Sequence, residues 1–120
     1  VGDKGLRIER LDMLKAVAPN RFKYRLLLTQ VVDKHEYVEG GVRINLRGLE
    51  GQNEKEFKLS DLDSGKQEAI RFRFKYFQNI DGELTLPQGF EPTEVMIVAQ
   101  PNGSNARPLE RKFDWQLTGG

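Results

Sequence analysis

Apolar and ionic residues alternate along much of this chain. The pattern is clearest over residues 70–76, where Ile70, Phe72, Phe74 and Tyr76 fall on one side and Arg71, Arg73 and Lys75 on the other. A period of two sends successive side chains to opposite faces of an extended backbone, so this segment reads as a strand with one dry and one wet face. Residues 6–9, 22–26 and 42–47 read the same way. Shorter candidates at 56–59, 83–86, 94–99 and 109–117 bring the set to about eight strands. The last of them places Leu109, Phe113, Trp115 and Leu117 on one side, with Arg111 out of step.

Turn chemistry punctuates the strands: Pro19-Asn20, Gly51-Gln52-Asn53, Asp63-Ser64-Gly65, Asp81-Gly82, Pro87-Gln88-Gly89 and Pro101-Asn102-Gly103. Gly40-Gly41 falls inside an alternating run, which predicts a bulge or sharp bend. Helical signal is confined to residues 11–18, enough for a turn or two before Pro19, and to a short capped turn over 60–67. Regularly spaced strands with turn clusters and no interleaved helices predict an all-β fold, an antiparallel β-sandwich. An immunoglobulin-like arrangement is the first expectation, and another small β-sandwich or an open barrel is the alternative. On this reading residues 6–117 form a single domain between flexible tails at 1–5 and 118–120.

Composition narrows the classes. Nineteen Lys and Arg residues balance 18 Asp and Glu residues for a formal net charge of +1, which argues against a dedicated nucleic-acid binder. With no cysteine, disulfide scaffolds, zinc ribbons, iron–sulfur centres and cysteine nucleophiles are excluded. That absence fits an oxidising compartment, although cytosolic proteins also lack cysteine. No window of about 18 apolar residues is available to span a bilayer. The chain starts at Val1 with no signal-like succession, which predicts a fragment or a matured product.

Candidate chemistry is sparse. His35 is the single histidine and reads as an exposed loop residue, because a general base or metal ligand needs partners. Ser60, Ser64 and Ser104 lack a Gly-x-Ser-x-Gly elbow. Asp61-Leu62-Asp63-Ser64-Gly65 matches a calcium loop only partly, since its glycine comes one position early and Phe72 stands where the closing acid belongs. No cofactor, metal or enzymatic activity is expected.

Cations on the wet strand faces are the most informative polar feature. Lys23 and Arg25, Arg43 and Arg47, then Arg71, Arg73 and Lys75 project away from the core, while acids crowd the connecting segments. Either cross-strand carboxylates neutralise these cations or they form a basic interaction face. Phe22, Tyr24, Phe72, Phe74, Tyr76, Phe113 and Trp115 are expected inside, Phe90 at one end of the sandwich, and Phe77 on the wet side beside Lys75, either covered by a loop or anchoring a partner. The candidate interaction face is therefore Arg71, Arg73, Lys75 and Phe77, with Arg43 and Arg47 as neighbours.

The run from Phe72 to Gln78, the run from Gly82 to Pro92 and Lys112-Phe113-Asp114-Trp115 resemble the C-terminal domain of an uncharacterised proteobacterial family. Leu26-Leu27-Leu28-Thr29-Gln30 and Val38-Glu39-Gly40-Gly41-Val42 fit the same pattern. That family carries an amino-terminal transmembrane helix and a coiled coil ahead of a β-rich module. The run Leu84-Thr85-Leu86-Pro87-Gln88-Gly89-Phe90-Glu91-Pro92 is also similar to bacterial immunoglobulin-like modules that sit beside envelope machinery. The resemblance implies a tethered module on the periplasmic side of the inner membrane, with the cytoplasm as the alternative. It implies a non-enzymatic protein-interaction or structural role, with a protein partner or self-association. An anionic-ligand binder for glycan, lipid head group or nucleic acid is the rival reading.

Overall fold

Alternation becomes pairing in the computed structural model, which describes residues 5–31, 36–63 and 68–118. The strands are β1 (Leu6–Lys15), β2 (Arg21–Gln30), β3 (Val38–Glu50), β4 (Asn53–Lys58), β5 (Ile70–Phe74), β6 (Phe77–Thr85), β7 (Phe90–Pro101) and β8 (Leu109–Asp114), with a one-turn helix α1 (Leu59–Leu62) between β4 and β5. A three-stranded sheet runs β1-β2-β6, and a five-stranded sheet runs β4-β3-β7-β8 with β5 also paired to β3. All pairings are antiparallel. The result is an all-β sandwich, and its strand order is the immunoglobulin-like one, except that β5 joins β3 instead of extending the three-stranded sheet.

The core forms where the two dry faces meet. Leu6, Leu26, Leu28, Val42, Leu46, Val95 and Ile97 are fully buried, each stabilising the fold by about 1.5–3 kcal/mol. Phe72 and Phe74 are buried as expected, and so is Phe90, which meets Phe57 edge-on at 4.9 Å. Phe22 and Trp115 pack T-shaped at 5.1 Å near the end of β1. Arg111 turns out to be a clasp. The register of β1 slips between Ile8 and Arg10, and Arg111 Nη1 donates to the freed carbonyls of Ile8 at 2.7 Å and Glu9 at 3.1 Å, which joins the edges of the two sheets. Gly5 accepts a backbone hydrogen bond from Val31, and Thr118 donates one to Met13.

Several expectations are corrected. Residues 11–15 extend β1 instead of forming a helical turn, because pairing Leu11 with Leu26 and Met13 with Tyr24 outweighs their local helix propensity. Gly40-Gly41 neither bulges nor bends. Gly40 pairs with both Phe72 and Pro101, and a Cβ there would run into the Gln100 carbonyl, so glycine permits a close backbone approach. The irregularity of β3 falls instead between Arg47 and Gly48.

Asp81-Gly82 lies within β6, not in a turn, and the Tyr24 ring occupies the space a side chain at Gly82 would need. The strand expected over 70–76 ends at Phe74, because the chain crosses to the other sheet at Lys75-Tyr76, leaving Tyr76 exposed. Leu117, beyond β8, is also exposed. Of the capped turn expected over 60–67, residues 60–62 fall in α1, which has no side-chain cap at Lys58, and 64–67 lie outside the described residues. His35, Ser64 and Gly65 lie outside the described residues.

Candidate interaction surface

Cross-strand register decides which outward cations are already satisfied, because directly opposed residues come within reach of an ion pair. On the three-stranded sheet, Lys23 faces Glu83 and Arg25 faces Asp81. Arg25 Nε lies 2.6 Å from Asp81 Oδ1, while Glu83 engages Arg21 at 2.6 Å and Lys23 at 3.9 Å. The hydrogen bond and charge of Asp81 hold Arg25 more firmly protonated than a free guanidinium. Glu56 acts likewise on Arg47, which it binds at 2.9 Å with Glu94 at 3.6 Å on the other side. Tyr24, buried beneath this region, has its phenol pushed up to about 12, first by burial and then by the charges of Asp63 and Asp81.

The six candidate residues separate accordingly. Arg43, Arg47, Arg71 and Arg73 share the outward face of the five-stranded sheet. Arg47 sits among carboxylates at one end of that face, and Arg43 lies midway, beside Asn45, Lys58 and Glu68. Arg71 and Arg73 lie at the other end, where Lys75 and Tyr76 carry the chain over the rim. Phe77 begins β6 on the outward face of the other sheet, opposite Thr29.

Gln30 organises this rim. Its backbone N–H donates to the Tyr76 carbonyl at 3.0 Å, and its Nε2 donates to the carbonyls of Glu36 at 2.8 Å and Lys75 at 2.7 Å. One residue thereby ties the end of β2 to the approach to β3 and to the β5–β6 bend. The Arg73 N–H donates to Gln78 Oε1 at 2.9 Å and closes the bend from its other side. Tyr37, Tyr76, Phe77 and Val31 are left 52%, 59%, 62% and 58% exposed around this end.

Arg73 lies 3.8 Å over the Tyr37 ring and Lys75 5.2 Å from it, both favourable cation–π placements. Glu39 pairs with Arg73 at 3.6 Å, whereas Arg71 and Lys75 have no carboxylate in salt-bridge range among the described residues. Tyr37, Val31 and Gln30 were not singled out from the sequence, and Tyr76, expected inside, is exposed instead. The adjacent aromatics Tyr76 and Phe77 did carry a signal, since neighbours in one strand cannot both face the core. Among the described residues no group of three or more potential ligand side chains gathers, and Ser64-Gly65 of the loop after Asp61 and Asp63 lies outside them.

These features define an all-β sandwich module whose rim presents aromatics and cations. The chain belongs to a family of unknown function (DUF6776), which matches residues 1–97. The match runs through β1–β6 and most of β7 and stops before β8. No curated protein and no solved structure matches the chain.

Proposed function

We propose that this chain is a non-enzymatic protein-interaction module of a bacterial envelope protein, tethered on the periplasmic side of the inner membrane by a segment outside this sequence. The tether, compartment and proteobacterial origin rest on the resemblance of its motifs; among the described residues no helix is long and apolar enough to cross a membrane. The interaction role rests on one observation: Tyr37, Tyr76 and Phe77 are held exposed around a rim that Gln30 fixes, beside Arg73 and Lys75. Preorganised aromatic and arginine side chains lose little entropy on docking and supply most of the energy of protein interfaces. An anionic ligand is the second reading, favoured by Arg43 and Arg71, which lack carboxylate partners among the described residues.

A photo-crosslinking residue at position 77 of the full-length protein tests the role, with position 17, which is fully exposed in the β1–β2 connection, as the control. Discrete protein adducts are expected from position 77 and absent from position 17, and Lys75→Glu should abolish them. Identical adducts from both positions, or none from either, would overturn the reading.

A further inference from the structure

An antiparallel ladder leaves every second residue of an edge strand facing away from its neighbour. On β6 the even-numbered residues are the paired ones. Gln30 donates to the Tyr76 carbonyl at one end of the β2–β6 ladder, Leu86 donates to the Asn20 carbonyl at the other, and the register between them runs without a shift. Phe77, Asn79, Asp81, Glu83 and Thr85 therefore turn their backbone N–H and C=O groups to the free edge of the three-stranded sheet. Among the described residues none of these groups has a hydrogen-bond partner.

The other edges are protected. β1 slips register after Ile8, and the carbonyls of Ile8, Glu9 and Met13 are taken by Arg111 and Thr118. β4 and β8 are six residues long, and each carries four charged side chains. β5 is five residues long with two arginines. Short, bulged, covered or charged edges are how sheets avoid recruiting further strands. β6 is nine residues long and has no lysine, arginine, proline or bulge. The strand that would cover it in an immunoglobulin-like order, β5, pairs with β3 instead.

We propose that β6 takes up an extended segment of a partner protein as a fourth strand of the three-stranded sheet. Donors and acceptors recur along the edge every second residue, about 6.8 Å apart, a spacing that an extended backbone matches. Charge says which segment fits. Asp81 and Glu83 are the charged side chains of β6, whereas the Arg25, Lys23 and Arg21 that pair with them stand one strand behind, on β2. An added strand therefore meets carboxylates first, which favours lysine or arginine beside them and opposes acids. Its alternate side chains turn toward a core that Ile80, Leu59 and Leu62 already close, so small or β-branched apolar residues suffice. The segment is an alternation of apolar and basic residues. This edge meets the aromatic rim only at Phe77 and works through backbone groups and carboxylates, so the rim reading above stands or falls separately.

Amide exchange of the 120-residue chain, with and without a short peptide alternating Val and Lys at millimolar concentration, tests this. Without peptide, the N–H groups of Asn79, Asp81 and Glu83 should exchange fast and those of Gln78, Ile80 and Gly82 slowly. With it, the first three should slow, whereas a peptide alternating Val and Glu should leave them unchanged. Asn79→Pro removes an outward donor without touching the ladder, a placement that edge strands tolerate, and should weaken binding of the Val–Lys peptide about tenfold. Thr85→Pro, at the strand end, makes the same measurement if Asn79→Pro does not fold. No slowing with the Val–Lys peptide, equal slowing with both peptides, or undiminished binding by the folded proline variant would overturn the proposal. So would slowing of the same three N–H groups as the chain alone is concentrated, since the edge would then be taken by a second copy.

Discussion

On the three-stranded sheet Lys23 and Arg25 of β2 look across at carboxylates on β6, whereas on β5 of the five-stranded sheet Arg71 looks across at Gly41 and only Arg73 finds an acid, Glu39. The two strands read alike in sequence, since Lys23 and Arg25 alternate with aromatics just as Arg71 and Arg73 do. What separates them is the neighbour chosen by register. On one sheet the outward cations of β2 are paired with carboxylates, while on the other Arg71 has no carboxylate in salt-bridge range among the described residues. Parity tells which way a side chain points, and register tells whether it is already satisfied.

The strongest way to break the comparison is to dislodge β5 without touching the three-stranded sheet. Gly40 stands between Phe72 on β5 and Pro101 on β7, and a Cβ there would meet backbone, with Pro101 Cα at 2.8 Å. Backbone in the middle of a sheet yields less readily than a side-chain tip. Gly40→Ala should cost about 3 kcal/mol, at the upper end of overpacking penalties. Gly89→Ala, at φ +84 with open space around it, should cost about 1 kcal/mol from backbone strain alone. Urea midpoints at unchanged slope measure both; equal losses would show that the close approach at Gly40 is not limiting.

Much of this architecture was legible because burying one face of a strand enforces a period of two. Residues 22–26, 42–47 and 94–99 all fall within observed strands, and the expected sandwich is the observed one. Legibility failed where a tertiary partner outweighed local pattern. Residues 11–15 have helix-forming side chains but face β2 across a complete register, and Gly82 resembles a turn residue because the space it leaves is filled by Tyr24, 58 positions away in sequence. The candidate face was partly legible for the same reason. Arg71 and Arg73 share the outward face of one sheet while Phe77 starts a strand of the other, and Arg47 is claimed by Glu56 and Glu94 from two other strands, which no local spacing reveals. Gln30 carried no sequence signal, since a glutamine at a strand end shows nothing of the three carbonyls around it.

A gentler perturbation sharpens the comparison at the rim. Gln30→Ala removes the Nε2 donor from the carbonyls of Glu36 and Lys75. Partly exposed carbonyls regain water, so the loss should be about 1–2 kcal/mol. Its location matters more than its size. Amide exchange should accelerate around residues 75–77 and leave the β1–β2 ladder protected. Uniform acceleration over both sheets would mean that the rim is not a separable unit.

The smallest effects address the charges themselves. Arg25 and Asp81 are both more than half exposed, so solvent screens them and their pairing adds little to stability. A double-mutant cycle with Arg25→Met and Asp81→Asn should still give a favourable coupling at low salt that disappears near 1 M, where the Debye length falls to about 3 Å. Arg71→Met, on the unpaired side, should leave stability unchanged at either salt, since no intramolecular ion pair is lost among the described residues. The contrast gives each face its own signature: on β2 salt acts on folding, and at Arg71 on β5 it leaves folding unchanged. If Arg71→Met destabilised the fold as much as Arg25→Met, the five-stranded sheet would be satisfying its own cations, and its outward face would be a second neutral surface like the first.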